Sequence, residues 1–165
     1  ENKDYATAIT IFKALAQQGH GNALLTLGHM LYQGEGFEQD REAAVGFYKL
    51  AADKGIPMAQ FRVGMTFYRG DVLPQNYPAA AKYLTLAAQQ GNSAAQSILG
   101  GLYFLGEGVL KDDVTAYMWM NIAASLGNDE ASKNRDLIAK EMTSHQIAEA
   151  QRLARECVNK KYKGC

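Results

Sequence analysis

The sequence lacks the features that mark membrane proteins and nucleic-acid-binding proteins. No apolar run approaches the roughly 20 residues that a membrane-spanning helix requires. Lysine plus arginine equal aspartate plus glutamate, at 17 each in 165 residues, so no net charge attracts the chain to a nucleic acid or to an anionic membrane. We therefore expect no nucleic-acid partner and no membrane insertion.

Residues that bind metals are also scarce. The three histidines, His20, His29 and His145, lie far apart in the sequence, whereas a zinc site needs four ligands. The two cysteines, Cys157 and Cys165, both lie at the C-terminal end. They leave two alternatives open, a bridge that ties the end of the last helix to the tail or two separate thiols. We expect no metal and no cofactor.

Motifs of catalytic sites are absent as well. No Gly-x-Ser-x-Gly, Ser-x-x-Lys or Lys-Thr-Gly motif occurs, so the sequence offers no activated serine. The Gly-x-Gly strings at 34–36 and 106–108 follow predicted helices, and they lack the third glycine and the lysine of a phosphate-binding loop. Paired acids at 112–113 and 129–130 precede predicted helices, where carboxylates complement the helix dipole. The sequence thus predicts no catalytic residue, and we expect that the chain is not an enzyme.

What the sequence does contain is a repeat with a period of 36 residues. Self-similarity at intervals of about 20 to 50 residues is typical of solenoids, whose units bury their apolar faces only by stacking on neighbours. This organisation favours a binding surface over a reaction centre. The recurring positions are Gly19, Gly55, Gly91 and Gly127; Gly28, Gly64 and Gly100; Gly34, Gly70 and Gly106; Ala23, Ala59, Ala95 and Ala131; and Ala16, Ala52, Ala88 and Ala124.

Each repeat is predicted to form two helices, A and B. In the first full copy, apolar residues at spacings of three and four predict helix A. Gly34 ends that helix because glycine enters the left-handed backbone conformation without steric cost. Asp40 is placed to cap helix B, which ends at Gly55. The same cap column also contains Asp4, Asn76 and Asp112.

Small residues are predicted to set where the two helices of a repeat meet. Glycine in the middle of helix A costs about 1 kcal/mol relative to alanine, so we attribute the glycine column that begins with Gly28 to close approach of helix B. One aromatic column of helix B is predicted to fill the core between these close contacts. Its members are Phe47, Tyr83 and Trp119.

The strings around these glycines resemble the Sel-1-like repeat family, which is related to tetratricopeptide arrays. They cover residues 27–37, 63–70 and 99–109, each followed by Ala-Ala and a terminal glycine. The resemblance implies an all-α fold, an α/α right-handed superhelix with helices A on the concave side and helices B on the convex side. The second copy departs from the pattern, because 71–74 replaces the Glu-Gly pair, and we expect a different local path there.

The resemblance extends over one repeat domain, 1–165. We predict a half repeat with helix B only at 1–19, full repeats at 20–55, 56–91 and 92–127, and a C-terminal capping helix pair at 128–165. Thr143 and Gln146 form a capping-box pattern that starts the last helix. The missing first helix A suggests that a preceding segment, including any signal peptide, is absent from this sequence.

The cysteine-rich branch of the family adds two expectations. Its paired cysteines lie eight residues apart and link repeats, and Cys157 and Cys165 have the same separation. The resemblance therefore implies a disulfide between them. Bacterial members are often exported and linked to the cell envelope or to host contact, which implies a periplasmic or secreted location, with the cytoplasm left open.

By analogy with tetratricopeptide arrays, the concave face of helices A is the predicted partner-binding groove. Aromatic residues, methionine and arginine are enriched at such surfaces, and an extended peptide or an amphipathic helix would lie along it. The alternative is that these aromatic residues form a second layer of core contacts between successive helices A. The candidate groove residues are Leu25, His29, Tyr32, Phe61, Met65, Tyr68, Arg69, Ser97 and Phe104.

Three functions remain open at this point. The first is a non-catalytic protein-protein interaction module, an adaptor that binds a peptide or helix of another protein in its groove. The second is a cell-envelope enzyme of β-lactamase-like or peptidoglycan-related type, which would need the activated serine that the sequence lacks. The third is a structural spacer in a longer chain. Partner identity, source organism and oligomeric state are not determined by the sequence.

Overall fold

The computed structural model describes residues 4–165, and these contain helices and no strand. The helices α1 to α7 have 12 or 13 residues each and are joined by short loops, as the repeat predicts. They are α1 (Tyr5–Gln17), α2 (Gly21–Gln33), α3 (Arg41–Asp53), α4 (Pro57–Arg69), α5 (Tyr77–Ala88), α6 (Ser93–Leu105), α7 (Asp113–Ser125), α8 (Asp129–Ile138) and α9 (Ser144–Asn159), with a short 3-10 helix at Ala139–Glu141.

The chain divides into two compact units. Unit 1 ends at Gln75 and contains α1 to α4, whereas unit 2 is Asn76–Cys165 and contains α5 to α9. In unit 1, α2 packs mainly against α3, and α3 against α4. In unit 2, α6 packs against α7, which also contacts α8 and α9. Within each unit, consecutive helices are therefore the main packing partners from α2 to α8, whereas α9 packs mainly against α7.

The predicted helix ends are confirmed. Gly34, Gly70 and Gly106 follow α2, α4 and α6 with φ of 77°, 70° and 72°, a region in which a side chain is strained. The cap column is confirmed too. Asp40 accepts a hydrogen bond of 2.9 Å from the backbone N–H of Ala43, and Asp4, Asn76 and Asp112 cap α1, α5 and α7 in the same way.

Close approach at the mid-helix glycines is confirmed at Gly28. A Cβ at this position would lie 2.8 Å from the ring of Tyr48 and 3.1 Å from the carbonyl oxygen of Ala44. In unit 2, a Cβ at Gly100 would lie 3.0 Å from the carbonyl oxygen of Ala116. The missing side chain therefore lets the two helices of the repeat come together, which offsets the conformational cost of glycine.

The predicted aromatic column of helix B is only partly correct. Trp119 is buried, but Phe47 and Tyr83 are half-buried. The residue that packs on Gly28 is Tyr48, which is 2% exposed, one position after Phe47. In α3, the buried aromatic residue therefore lies one position after the predicted one.

The C-terminal end of unit 2 closes the core with a capping-box helix, as predicted. The side chain of Thr143 accepts a hydrogen bond from the backbone N–H of Gln146. In return, the side chain of Gln146 accepts a hydrogen bond from the backbone N–H of Thr143. Asp136, at the position where earlier repeats have their mid-helix glycine, lies within α8, and only the 3-10 helix and Met142 separate α8 from the capping residue of α9. The core of this end consists of Ala116, Tyr117, Met120, Ala123, Ala131, Ile138 and Ala150.

The tail after α9 is attached to the body of unit 2 by a disulfide. Cys157 and Cys165 are bonded, with their Cα atoms 5.6 Å apart. The side-chain amide of Gln89 donates a hydrogen bond of 3.5 Å to the carbonyl oxygen of Cys165. Lys161 and Tyr162 both have positive φ, at 52° and 65°. The tail thus combines a covalent attachment with two strained backbone positions.

Candidate functional site

Unit 1 contains a narrow cleft between α2, α3 and α4, which we call the α2–α4 cleft. Its volume is about 30 Å³, room for roughly two water molecules. Small-molecule sites usually enclose at least about 300 Å³, so the cleft fits part of a side chain and no free ligand of ordinary size. Its lining residues are Tyr32, Tyr48, Arg62, Met65, Thr66, Arg69 and Asp71.

Two tyrosines form the aromatic wall of the cleft. The ring centroids of Tyr32 and Tyr48 are 6.4 Å apart and the rings are tilted by 39°, within the range of favourable aromatic pairs. The guanidinium carbon of Arg41 lies 5.2 Å from the Tyr32 ring centroid, a cation–π distance. Burial raises the pKa of Tyr48, and the charge of nearby Arg62 opposes that effect. Tyr48 is therefore a neutral hydroxyl at physiological pH.

Two arginines and one aspartate are the charged residues that line the cleft. Arg62 and Arg69 are exposed, and within residues 4–165 neither guanidinium has a carboxylate oxygen within ion-pair distance. Asp71 is the acidic residue among those lining the cleft. The described ion pairs instead lie in unit 2, for example between Lys111 and Asp113 at 3.5 Å.

Three predicted groove residues of unit 1 meet in the cleft, and four do not. Tyr32, Met65 and Arg69 line it, although they come from different helices. The predicted residues outside the cleft lining are half-buried, and they are Leu25, His29, Phe61 and Tyr68.

In unit 2 the two predicted groove residues differ in exposure. Ser97 is 7% exposed, and its hydroxyl lies 3.8 Å from the sulfur of Met120, so it contributes to packing more than to an open surface. Phe104 is half-buried, with the ammonium group of Lys111 at 5.1 Å from its ring centroid. Beside it, Leu105 is 61% exposed.

Sequence reasoning missed several cleft residues. Tyr48 belongs to helix B, where no partner-binding residue was expected, and Arg62 and Thr66 lie on α4 beside predicted positions. The close contact between Gly28 and Tyr48 brings the Tyr48 ring up to α2. A signal for Tyr48 existed in the sequence, because a large residue must fill the space opposite each mid-helix glycine.

A glutamine column that the sequence did not suggest holds the loop after helix A. The side-chain amide of Gln39 donates to the carbonyl oxygen of Tyr32 at 2.9 Å, and that of Gln75 donates to the carbonyl oxygen of Tyr68 at 3.0 Å. Each bond closes a loop onto the helix end that carries an aromatic residue. The glutamines therefore position the backbone behind the predicted aromatic surface.

Within residues 4–165, no group of three or more histidine, cysteine, aspartate or glutamate side chains is arranged to hold a metal ion. In the same part of the chain, no helix has the length and apolarity of a membrane span.

The family can be assigned from the repeats themselves. The Sel1 repeat model matches residues 22–56, 57–92 and 93–128, three consecutive stretches. The chain belongs to the Sel1 repeat family. Its fold is accordingly the all-α superhelical repeat fold of Sel1-like proteins. Sel1 repeat proteins are generally protein-interaction modules, and the family is typically non-catalytic.

Three bacterial proteins of known structure are similar to this chain. A protective antigen of uropathogenic Escherichia coli strains, described as displaying an SLR fold, is 32% identical with a TM-score of 0.83 over 97% of this chain. This chain spans only 35% of that protein. A Sel1 repeat protein from Oxalobacter formigenes is 31% identical with a TM-score of 0.74, over 78% of this chain and 97% of its own.

Cysteine rich protein B of Helicobacter pylori shares the fold at 19% identity, with a TM-score of 0.60 over 79% of this chain and 94% of its own. Among curated proteins, no sequence matches this chain.

Proposed function

We propose that the chain is a non-catalytic adaptor that binds a peptide or helix of a partner protein through the face formed by helices A of unit 1, α2 and α4. In unit 1 this face is centred on the α2–α4 cleft. The observation that carries the proposal is the convergence of Tyr32, Met65 and Arg69, from two helices, on one recess too small for an ordinary ligand. A recess of this size suits one anchoring side chain of a partner.

The composition of the cleft supports this use. Tyrosine, methionine and arginine are the residue types enriched at the cores of protein interfaces. Tyrosine contributes a large contact area at a small cost in conformational entropy, and methionine adapts to partners of different shape. Phe61 and Tyr68, both half-buried on α4, extend the same surface in the proposal.

Unit 2 carries a surface of related character, which we propose as a separate contact area. Leu105 and Leu110 are 61% and 90% exposed, and Phe104 precedes Leu105 at the end of α6. Apolar side chains exposed close together along the chain mark interaction sites more often than scattered single ones do. Ser97, on the same helix, is buried, and we propose that it acts through packing only.

Site-specific photo-crosslinking in the source cell tests the proposal. A benzophenone amino acid is placed at Met65, on the proposed face, and in a matched protein at Leu50, which is 53% exposed on α3 of the same unit. We expect a defined adduct with one protein from position 65 and none from position 50. Equal adducts from both positions, or adducts with many unrelated proteins, would contradict the proposed face.

The captured partner then allows a quantitative measurement. The cross-linked segment is synthesised and its affinity is measured by calorimetry for the unmodified chain and for Tyr32→Ala with Met65→Ala. Interface anchors cost about 2 kcal/mol or more on truncation, so we expect affinity to fall at least about 30-fold. Circular dichroism confirms that the variant keeps its helicity. Unchanged affinity in a folded variant would remove the cleft from the interface.

We also propose that the protein works in the periplasm or outside the cell. The disulfide between Cys157 and Cys165 supports this, because such bonds persist in oxidising compartments, and the structural relatives are bacterial. Alkylation of the protein under denaturing conditions, directly after lysis of the source cell, is the test. We expect no reactive thiol. Two alkylated cysteines would place the protein in a reducing compartment.

A further inference from the structure

The α2–α4 cleft has more positive than negative side chains in its lining, a feature that a general protein-binding role does not require. Acidic and basic residues nearly balance across residues 4–75. Yet two arginines line the cleft, Arg62 and Arg69, against the single carboxylate of Asp71. A third, Arg41, lies over the Tyr32 ring that forms the cleft wall. Three of the six basic residues of 4–75 therefore lie at this recess, together with one of the seven acidic residues.

This charge is available to a partner. Arg62 and Arg69 are exposed, and no carboxylate of residues 4–165 pairs with either guanidinium. Arginine binds carboxylates through paired N–H donors in a fixed fork, and such charge-assisted bonds are about twice as strong as neutral ones. A volume of about 30 Å³, which holds about two waters, accommodates the two oxygens of a carboxylate.

The remaining wall fits the apolar part of an acidic side chain. The Tyr32 ring and Met65 line the cleft together with the arginines, so a carboxylate held by Arg62 or Arg69 would bring its methylene groups onto apolar surface. Burial keeps Tyr48 protonated, so its hydroxyl adds no negative charge that would repel an anion. The cleft therefore has groups that bind an acid and groups that contact apolar atoms at the same place.

We propose that the α2–α4 cleft receives the carboxylate of an aspartate or glutamate side chain from an acidic segment of the partner protein. Arg62 and Arg69 supply the opposite charge, and Tyr32 and Met65 contact the aliphatic stem. This inference rests on the proposed function and names the chemistry of the partner at the same site.

Selection from a random peptide display library tests the inference without knowledge of the natural partner. The full chain is immobilised, and selected peptides are sequenced. A parallel selection uses Arg62→Gln with Arg69→Gln. The control is Arg155→Gln with Lys133→Gln, which removes two exposed positive charges from unit 2. We expect aspartate and glutamate to be enriched with the unmodified chain and with the control, and not with the cleft variant.

The best acidic peptide is then synthesised with each glutamate replaced in turn by glutamine. We expect one replacement to lower affinity about 10- to 100-fold for the unmodified chain and to have almost no effect for the cleft variant. Raising the salt concentration from about 0.05 M to about 0.5 M should weaken binding of the acidic peptide and leave the glutamine peptide nearly unchanged.

The outcomes separate this inference from the function on which it rests. One outcome would overturn the carboxylate proposal and leave the adaptor face intact. In that outcome the selected peptides have no excess of acidic residues, and their binding is lost in Tyr32→Ala with Met65→Ala but kept in Arg62→Gln with Arg69→Gln. Peptides that bind equally to all of these variants would overturn both. Acidic peptides that depend on Arg155 and Lys133 instead would move acid recognition out of the cleft.

Discussion

Gly28 shows how one missing side chain decides the packing of a repeat. Without a Cβ, α2 approaches α3 closely enough for the Tyr48 ring and the carbonyl oxygen of Ala44 to occupy the space at 2.8 Å and 3.1 Å. Tyr48 is 2% exposed and cannot easily move away. Gly28 is therefore needed because α3 packs closely against it, and the conformation of α2 alone does not require a glycine there.

We predict that Gly28→Ala lowers stability although alanine is the better helix former. The gain in helix propensity is about 1 kcal/mol, whereas overpacking a buried contact costs about 1 to 3 kcal/mol. The net loss should be about 1 kcal/mol, measured by urea unfolding. Gly46→Ala is the control, because nothing lies within 4 Å of a Cβ there. It should gain up to about 1 kcal/mol, and a gain at both positions would disprove the close contact.

The loop of the second repeat follows a different path for a reason visible in single residues. Gly36 and Gly108 both have φ of 72°, but the equivalent residue of the second repeat is Val72. Among the described residues outside glycine, only Lys161 and Tyr162 have positive φ. A branched side chain is strained in that region, so the departure at 71–74 was predictable from residue type alone.

At the scale of helices, two glutamines have a role that periodicity does not reveal. Gln60 and Gln96 are buried, at 4% and 0% exposure. Their side-chain amides donate to the carbonyl oxygens of Ala52 and Ala88, at 3.4 Å and 3.0 Å, near the ends of α3 and α5. Both carbonyl oxygens also accept from a backbone N–H, that of Gly55 and that of Gly91, so each glutamine adds a second hydrogen bond at the end of a helix. Among the described residues, Oε1 of Gln96 has no hydrogen-bond partner.

The N-termini of helices A differ in capping, although their geometry is the same. Asn92 caps α6, and its side chain accepts from the backbone N–H of Ala95 at 2.9 Å. His20 occupies the same position before α2 with φ and ψ of −69° and 109°, against −72° and 104° at Asn92, but its side chain forms no cap hydrogen bond. An asparagine at position 20 would need no change of backbone.

We predict that His20→Asn stabilises the protein and that Asn92→Ala destabilises it, each by about 1 kcal/mol. In each variant, one backbone N–H at the start of a helix gains or loses a hydrogen-bond acceptor. Chemical denaturation of both variants measures the effect, and His20→Ala serves as the control for loss of the histidine. A His20→Asn protein no more stable than His20→Ala would show that the cap does not form.

The C-terminal tail is an element held by its disulfide. Lys161 and Tyr162 have left-handed backbone conformations, which cost roughly 1 kcal/mol or more each. Restricting a loop of this length is worth about 2.5 kcal/mol in the chain-entropy view. Tyr162 also lies near Gly91, where a Cβ would be 3.1 Å from its ring.

We predict that Cys165→Ser releases the tail while α9 remains folded. Without the covalent bond, the strain of two left-handed residues is no longer offset. Heteronuclear relaxation should show fast motion after Lys160 and unchanged order through Ala154. In the control, Lys161→Gly with the disulfide intact, the tail should stay ordered. A rigid tail in Cys165→Ser would show that non-covalent contacts suffice to hold it.

At the scale of the whole molecule, the second unit contains its own core and its own disulfide. The buried cluster that includes Tyr117, Met120 and Ile138 lies entirely within Asn76–Cys165. By contrast, α1 in unit 1 has no buried residue. Independent stability requires an internal apolar core, and unit 2 has one.

We predict that a fragment of residues 76–165 folds by itself. Circular dichroism should show the helicity expected for α5 to α9, and thermal unfolding should be a single cooperative transition. The matched comparison is the fragment that ends at Gln75, which should unfold at a lower temperature because it lacks a disulfide and because α1 is exposed. A fragment 76–165 without a cooperative transition would show that its core depends on the rest of the chain.

The fold was largely predictable and the site was not, for related reasons. Helix ends depend on single residues such as Gly34 and Asp40, whose effects are local, so the sequence alone predicts them. The cleft depends on which side of each helix meets its neighbour. The predicted core column contained Phe47, whereas Tyr48 fills that space in α3, and Tyr48 was outside the predicted site because only helices A were expected to bind a partner.

The sequence by itself determined the helical repeat, its period, the caps and the glycine stops, because these follow from backbone conformation and from hydrogen bonds between near neighbours in the chain. Only the tertiary structure decided that Tyr32, Arg62 and Arg69 share one recess and that Ser97 is buried. A helix can rotate about its axis without change to its local pattern. The packing of large side chains against small ones sets that rotation, and with it which residues face a partner.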